Sequence, residues 1–442
     1  MSVCQVLALA EAGKPGIYSW RRNPREDGGK MMTGENTLEL DNFFATIQNP
    51  YPVYTYLREN EPVRWNPMFV SFMLTRYDDV SMVFSDHRRF SSDIWTDLPE
   101  AIGFTGEDES GQNLRKIIPF LAYNLQGMDP PGHTRQRALM MQTFTPRLIE
   151  SFRPTAQKLV DELIDQRLPH GNMDLVADLA YPLPSNVILD LLGIPRSGRP
   201  YIRASSEAIN EFVATIIFTG PQVWPRLAGV FAEVTAYLKS LIAERRKHPG
   251  EDLLSKMVQA EENGDMLSED EIVIATNFLL FAGHETTANL IAVGMYYLMQ
   301  NPDQMAQLRA DPSKIPAAVE ELLRYVSPVH TLARRSSQEV TMRGVTIPED
   351  SSIYLLIGAA NRDPEKFPNP EKLDINRPPV RSLGFGYGIH YCIGAALARL
   401  ESQVAFETII RRLPAIQMTV ETPEFRPNYS LRGLKSLPVA FG

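Results

Sequence analysis

The feature that most restricts how this chain can fold is a glycine-rich turn with one cysteine near its end. It reads Phe385-Gly386-Tyr387-Gly388-Ile389-His390-Tyr391-Cys392-Ile393-Gly394, directly ahead of a helical pattern from Ala395 to about Leu413. Gly386 and Gly388 permit tight backbone turns, and unpaired amide N–H groups at the start of the following helix can point at sulfur and favour thiolate over thiol. Such a loop holds a ligand atom by its backbone. Cys4 is the only other cysteine, so a disulfide scaffold is excluded and an intracellular setting is expected. Zinc and iron–sulfur sites usually need several ligands, whereas one anionic sulfur suits iron in a haem held by a single axial residue. The plain alternative is an inert buried cysteine in a turn.

A length of 442 residues allows one large domain or two modest ones. With 44 Lys and Arg against 53 Asp and Glu, the net charge of -9 gives no global electrostatic reason to bind nucleic acid or anionic lipid. Val3 to Ala10 is apolar but short and follows no basic segment, so no secretory signal is expected and the location expected is cytoplasmic. The longest apolar stretch, Ile272 to Met299, carries His284 and Glu285 at its centre and Asn277 and Asn289 around them. Facing lipid these would be costly, so the segment reads as a buried helix without membrane insertion.

Residues 1–35 hold Gly13, Pro15, Gly16, Pro24, Gly28 and Gly29 without sustained periodicity, and are expected to form a flexible tail. Residues 36–442 are expected to form a single domain, since no repeat or Gly/Ser linker divides them. Short strands are predicted at Val63 to Arg64, Ser71 to Thr75, Val340 to Ile347 and Ser352 to Ile357, and Ser91 to Tyr123 reads as a long loop with helical fragments. Helices are predicted near Pro52 to Glu59, Asp78 to Phe84, Pro154 to Arg167, Pro184 to Leu192, Tyr201 to Phe218, Pro225 to His248, Leu253 to Glu262 and Ile315 to Val326. The balance is mainly α with a small β region.

The cysteine loop resembles the haem loop of the cytochrome P-450 family, Phe-Gly-x-Gly-x-His/Arg-x-Cys-x-Gly, at every fixed position. Three further segments carry the resemblance. Ala282-Gly283-His284-Glu285-Thr286-Thr287 is similar to the oxygen-activation motif Ala/Gly-Gly-x-Asp/Glu-Thr. Glu321-Leu322-Leu323-Arg324, a common i, i+3 charge pair when taken alone, is joined by Phe367-Pro368-Asn369-Pro370 and Arg377 in the family's order. Asp129-Pro130-Pro131-Gly132-His133, with Arg137 one turn on, matches Asp-Pro-Pro-x-His-x-x-x-Arg.

The resemblance implies haem b with Cys392 as the axial thiolate and metal ligand, in a triangular-prism fold with the haem between the long distal helix and the helix after the cysteine loop. It implies that His133, Arg137, Arg334 and His390 hold the haem propionates, that Phe385, Gly386 and Gly394 shape the thiolate loop, and that Ala282 and Gly283 let the distal helix lie against haem. Thr286 and Glu285 would manage protons, the hydroxyl through hydrogen bonds to the reducing oxygen and the carboxylate as relay. Glu321, Arg324 and Arg377 would form a buried structural network.

The function implied is a monooxygenase that uses O2 and two electrons to hydroxylate or O-dealkylate a small to medium, mostly apolar organic substrate. Electrons would come from a separate ferredoxin or flavodoxin with its NAD(P)H-dependent reductase, docking over the Cys392 side. Three alternatives stay open: a peroxide-driven peroxygenase, against which the Glu285–Thr286 pair argues, a haem-binding sensor or electron carrier without turnover, and, blandest, a helical interaction module without haem. By family position the substrate pocket would draw on Ser91 to Tyr123, Asn210 to Trp224, Phe278 to Gly283 and Val329 to Ala333. There His330 would either bond a polar substrate group or satisfy core carbonyls.

Overall fold

The longest element is the central helix, Glu269–Gln300, 32 residues that explain much of the architecture. Its start is set by a capping box in which Ser268 accepts from the Glu271 N–H and Glu271 reaches back to the Ser268 N–H, with Glu269 and Asp270 complementing the helix dipole. Asn301 and Pro302 end it, the proline opening the next helix, Pro302–Ala310. Apolar side chains surround it on all sides, so it can only be a core helix, packed by other helices. No helix among the described residues is long and apolar enough to cross a membrane.

The computed structural model describes residues 31–33, 36–38, 46–98, 109–215, 221–262 and 265–442. The terminal helix, Ala395–Arg412, packs on the central helix and on Arg153–Asp165. Gly294 makes the first contact close, since a Cβ there would come within 2.7 Å of the Phe406 ring. Pro182–Leu191 and Arg199–Thr215 also lie against the central helix, and Trp224–Lys247 packs on both Glu109–Ala122 and Arg199–Thr215. Together these helices bury the main apolar core.

A five-stranded sheet stands beside them, in the order Val63–Asn66, Ser71–Leu74, Ser352–Leu356, Thr331–Ser336, Phe90–Ser91. Only the Ser71–Leu74 to Ser352–Leu356 pairing is parallel, with Ile353 opposite Phe72. Its faces carry two smaller apolar clusters, one around Leu74, Val80, Phe84 and Leu355, the other around Tyr54, Leu57, Phe69 and Leu356. The molecule is thus mainly helical with a small sheet region.

Several local expectations need revision. The stretch predicted as loop with helical fragments contains a continuous helix, Glu109–Ala122, because Leu114, Ile117, Ile118 and Leu121 recur at helical spacing and bury one face; the neighbouring glycines had masked that period. The helix predicted to reach Glu262 stops at Gln259, and Glu261–Glu262 pairs with Asp265–Met266 as a small hairpin. The strand predicted over Val340 to Ile347 folds back on itself, Val340–Met342 pairing with Val345–Ile347 across Gly344 at φ +80°. Met31–Thr33 and Asn36–Leu38 pair antiparallel on either side of residue 35, while residues 1–30 of the expected tail lie outside the described residues.

Candidate active site

The cysteine loop closes on itself by main-chain bonds: Gly386 N–H donates to Leu383 O at 2.8 Å, Tyr391 N–H to Gly388 O at 3.2 Å, and Cys392 N–H to Phe385 O at 2.9 Å. Gly386 and Gly388 sit at φ +70° and +68°, and a Cβ at Gly388 would overlap the carbonyl of Phe84. Gly394 is the N-terminal boundary of the terminal helix, and its N–H points to the Cys392 sulfur. Burial pushes the thiol up, while the Gly394 amide and the guanidinium groups of Arg137 and Arg399 act in the other direction. Cys392, the only cysteine among the described residues, is exposed at contact range although the surrounding chain desolvates it. The two observations agree when a side chain lines an interior cleft. Phe385 covers one side of the loop, its ring 4.5 Å from the Arg399 guanidinium and edge-on to Tyr391.

Beside the loop, four nitrogen-bearing side chains from three elements converge. His133, in the helix Gly132–Thr143, stacks 4.2 Å from His390, and both of its ring nitrogens are buried without a hydrogen-bond partner. His390 meets Leu125 O through Nδ1 at 3.0 Å and the Ser92 hydroxyl through Nε2 at 2.9 Å. Arg137 donates to Tyr391 O at 2.6 Å. Arg334 is buried in its strand and among the described residues donates to the carbonyl of Ala333 at 2.7 Å and lies over the ring of Phe84. Burial, helped by the neighbouring cations, pushes His133 down to about 4 and His390 down to about 3. Burial also lowers Arg334 to about 10, with Asp129 opposing it. Buried donors that repel one another and lack a carboxylate partner are costly unless an anion joins them. A paired carboxylate such as haem carries is the chemistry that fits, next to a thiol able to take an iron.

On the central helix, Phe278, Ala282 and Thr286 follow one another at i, i+4, i+8 and are all half-buried, whereas Asn277, Leu279, Leu280, His284, Glu285 and Thr287 are buried. With Phe281 and Gly283 also half-buried, the helix is less enclosed over Phe278 to Thr286 than on either side of that stretch. Thr286 uses its hydroxyl to bond Ala282 O at 3.0 Å, one turn back. Gly283 serves a different contact: a Cβ there would come within 3.1 Å of Ile188 in Pro182–Leu191. Farther along the expected pocket, Trp95 and Phe212 stand with ring centres 6.3 Å apart. Residues 99–108 and 216–220 of that expected lining lie outside the described residues.

Glu285 faces elsewhere. Its Oε1 takes a 2.7 Å ion pair from Arg426 Nη1, and its Oε2 accepts from Asn210 Nδ2 at 3.3 Å and lies 4.0 Å from His284 Nε2. His284 donates from Nδ1 to Leu280 O and packs edge-on against Tyr181. Arg426 did not emerge from the sequence, and Asn210 did so only as the edge of the expected pocket lining and not as a partner of Glu285, because the contacts span 141 and 75 residues and neither residue sits in a recognisable motif.

Glu321 and Arg324 make a bidentate pair at 2.7 and 2.8 Å in the helix Ile315–Val326. Arg377 Nε joins at 3.1 Å, the Asp374 N–H donates to Glu321 at 3.0 Å, and Arg324 also holds the carbonyls of Asn361 and Pro370 at 2.9 Å each. The structure thus brings all three charges into one buried network. His330 is buried, its ring among Tyr51 and Tyr54 with Nδ1 3.2 Å from the Tyr54 hydroxyl.

Compared with known proteins, residues 73–434 match the family model described as Cytochrome P450. The chain is 37% identical over 401 residues to the polyketide biosynthesis cytochrome P450 PksS of Bacillus subtilis strain 168, covering 89% of this chain and 96% of that one. It is 37% identical over 423 residues to 6-deoxyerythronolide B hydroxylase of Saccharopolyspora erythraea, covering 92% and 99%. Among solved structures, P450BioI in complex with an acyl carrier protein ligated to hexadec-9Z-enoic acid superposes with a TM-score of 0.82 at 33% identity, over 90% of this chain and 99% of that one. A loop that presents one thiolate, a donor cradle beside it and this agreement along the chain lead to one conclusion: the chain belongs to the cytochrome P450 family, oxidoreductases that carry haem on a cysteine thiolate.

Proposed function

We propose that the chain is a monooxygenase that takes two electrons from a separate ferredoxin or flavodoxin, served by an NAD(P)H-dependent reductase, and places one atom of O2 into a mostly apolar organic substrate by hydroxylation or O-dealkylation. The observation that carries the reading is the cradle of His133, Arg137, Arg334 and His390 around the loop of Cys392. The haem iron supplies the binding and activation of O2.

The chain's own residues do the rest. Cys392 offers its sulfur to the iron, with the Gly394 N–H and the Arg137 and Arg399 charges favouring the thiolate. His133, Arg137, Arg334 and His390 hold the propionates, and Glu321, Arg324 and Arg377 fix the segment leading into the loop. Thr286 opens toward the cleft beside Ala282 and is placed to hold a proton near the reducing oxygen, while Glu285 is the acid behind it. Consecutive helix residues do not face each other, so transfer between them needs a bridging water or a turn of the Glu285 side chain. Arg381, exposed and stacked on Tyr387 and Tyr391, offers a cationic surface over the loop for an acidic redox partner.

The relatives named for polyketide biosynthesis and for 6-deoxyerythronolide B point to a polyketide-derived substrate, and the cytoplasm suits a partner-fed enzyme of this kind. The test is purification with haem, followed by the reduced carbon-monoxide spectrum and oxygen-dependent product formation on a panel of macrolactones with a surrogate ferredoxin and reductase. The expected result is a thiolate-type spectrum that Cys392→Ser abolishes together with turnover. A variant that kept both would overturn the assignment.

A further inference from the structure

Arg426 reaches Glu285 from a hairpin that is unusually well tied down. Phe425 and Leu434 form a bridge, Arg426 N–H donates to Gly433 O at 2.8 Å, and Arg426 Nε donates to Leu434 O at 3.2 Å. Gln48 bonds both main-chain groups of Phe425, at 2.9 and 3.1 Å, and Arg432 donates to Ile47 O at 2.8 Å. Gly433 lies directly on the central helix one turn past Glu285, where a Cβ would overlap Asn289. So much anchoring delivers one guanidinium to one carboxylate.

The pair also differs in exposure: the Arg426 side chain is 34% exposed and that of Glu285 8%. Arg426 is therefore where the buried acid meets solvent. The remaining charged or titratable groups around it are His284, whose Nε2 is buried and unpartnered, Tyr181 packed on His284, and the exposed Arg203–Glu207 pair beyond Tyr181. None of these competes for the carboxylate within hydrogen-bond distance, His284 standing at 4.0 Å.

We propose that Arg426 is a positioning residue for proton delivery: with Asn210 it holds the Glu285 carboxylate at a solvent port between the C-terminal hairpin and Arg199–Thr215, so that protons consumed in reducing oxygen enter there. The balance is that of the monooxygenase reaction, in which two electrons from the redox partner and two protons accompany each O2, one oxygen enters the substrate and the other leaves as water. The proposal rests on the reading of Glu285 as the acid behind Thr286.

The experiment uses the haem-loaded full chain with surrogate ferredoxin and reductase and no added organic substrate, following oxygen consumption, its pH profile and its solvent isotope effect for wild type, Arg426→Gln, Arg426→Lys, Glu285→Gln and the Glu285→Gln/Arg426→Gln double variant. Denaturant unfolding of the same proteins gives a readout independent of turnover. Arg426→Gln is expected to slow oxygen consumption by about tenfold, to enlarge the isotope effect and to change the pH profile of the rate, because the acid is no longer held at the port. Lysine restores most of the rate, and the double variant is no slower than Glu285→Gln. Unfolding should show the two single substitutions to be non-additive. If Arg426→Gln only lowers stability and leaves profile and isotope effect unchanged, Arg426 is structural and the proposal falls while the role of Glu285 stands. If Glu285→Gln leaves both unchanged, the underlying reading falls as well. Should Arg426→Gln not fold, Asn210→Leu carries the same measurements, and a pH profile and isotope effect unchanged from wild type there overturn the port.

Discussion

Replacing Glu401 with leucine is expected to stabilise the protein, increasingly so as pH rises. Glu401 lies in the second turn of the terminal helix, fully buried, and neither carboxyl oxygen has a hydrogen-bond partner among the described residues. Burial alone drives its pKa well above the usual carboxylate range, with no nearby charge contributing. The folded state therefore keeps a proton that the unfolded chain releases above about pH 4.3. For a group raised in the folded state, its contribution to stability is fully present below the unfolded pKa and is lost as pH climbs toward the folded one. Within that window wild type loses about 1.4 kcal/mol per pH unit relative to a variant that cannot ionise. Removing the unpaired polar group adds about 1–3 kcal/mol that does not vary with pH, less about 1 kcal/mol for refitting the leucine. Urea unfolding at several pH values measures the difference directly, and titrations common to both proteins cancel. Glu401→Gln serves as the control, reproducing the pH dependence without the constant gain. Parallel stability curves for wild type and Glu401→Leu would refute the reasoning, since they would mean that the acid is compensated inside the fold.

Glu321→Gln should destabilise the protein by about 3–5 kcal/mol, because it strips the buried charges of Arg324 and Arg377 of their shared carboxylate; a loss under about 1 kcal/mol in denaturant unfolding would class the network with surface pairs. Arg334→Leu is expected to act with opposite sign in two states, stabilising the haem-free chain by about 1–3 kcal/mol by removing an unpaired buried cation while weakening haem retention, as measured by unfolding without haem and by haem transfer to an acceptor protein. Gly388→Ala combines a backbone at φ +68° with an overlap against Phe84, and should cost about 1–3 kcal/mol and lower the fraction of protein with a thiolate-type carbon-monoxide spectrum; an unchanged spectrum and melting curve would show that the loop tolerates a Cβ there.

What could be read from the sequence was what chain proximity carries. The cysteine loop is legible because the turns, the sulfur and the helix start are consecutive, and Glu321 with Arg324 is legible as a pair because one helical turn places them together. Glu285 shows the limit. Its type and its apolar setting announce a buried acid, yet which cation compensates it depends on where a hairpin about Arg426 lands, and no local pattern encodes that. The helix Glu109–Ala122 reads as a loop with helical fragments because Gly103, Gly106 and Gly111 interrupt the pattern around it, although Leu114, Ile117, Ile118 and Leu121 keep helical spacing and pack beneath Trp224–Lys247. His330 has the same sequence character as a pocket histidine or a core histidine, and its neighbours Tyr51 and Tyr54 lie too far along the chain for its own segment to announce them.

The donor cradle ties these strands together. His133 and Arg137 come from one helix, His390 from the cysteine loop and Arg334 from the sheet, so the fold gathers like-signed donors from three structural layers into one buried place. Folding alone gains little from that arrangement, since the Arg137 and Arg334 charges lower both histidines, burial lowers all four groups, and Asp129 opposes this only at His133 and Arg334 among the described residues. The arrangement becomes favourable when an anion with two carboxylates enters, which makes the cofactor part of the stability of the loop that holds it. It follows that the haem-free chain should open first at this junction, around Leu125 to His133 and Gly386 to Cys392, and that hydrogen exchange there should slow on haem binding more than exchange in the Glu321 network, whose charges are already balanced within the protein.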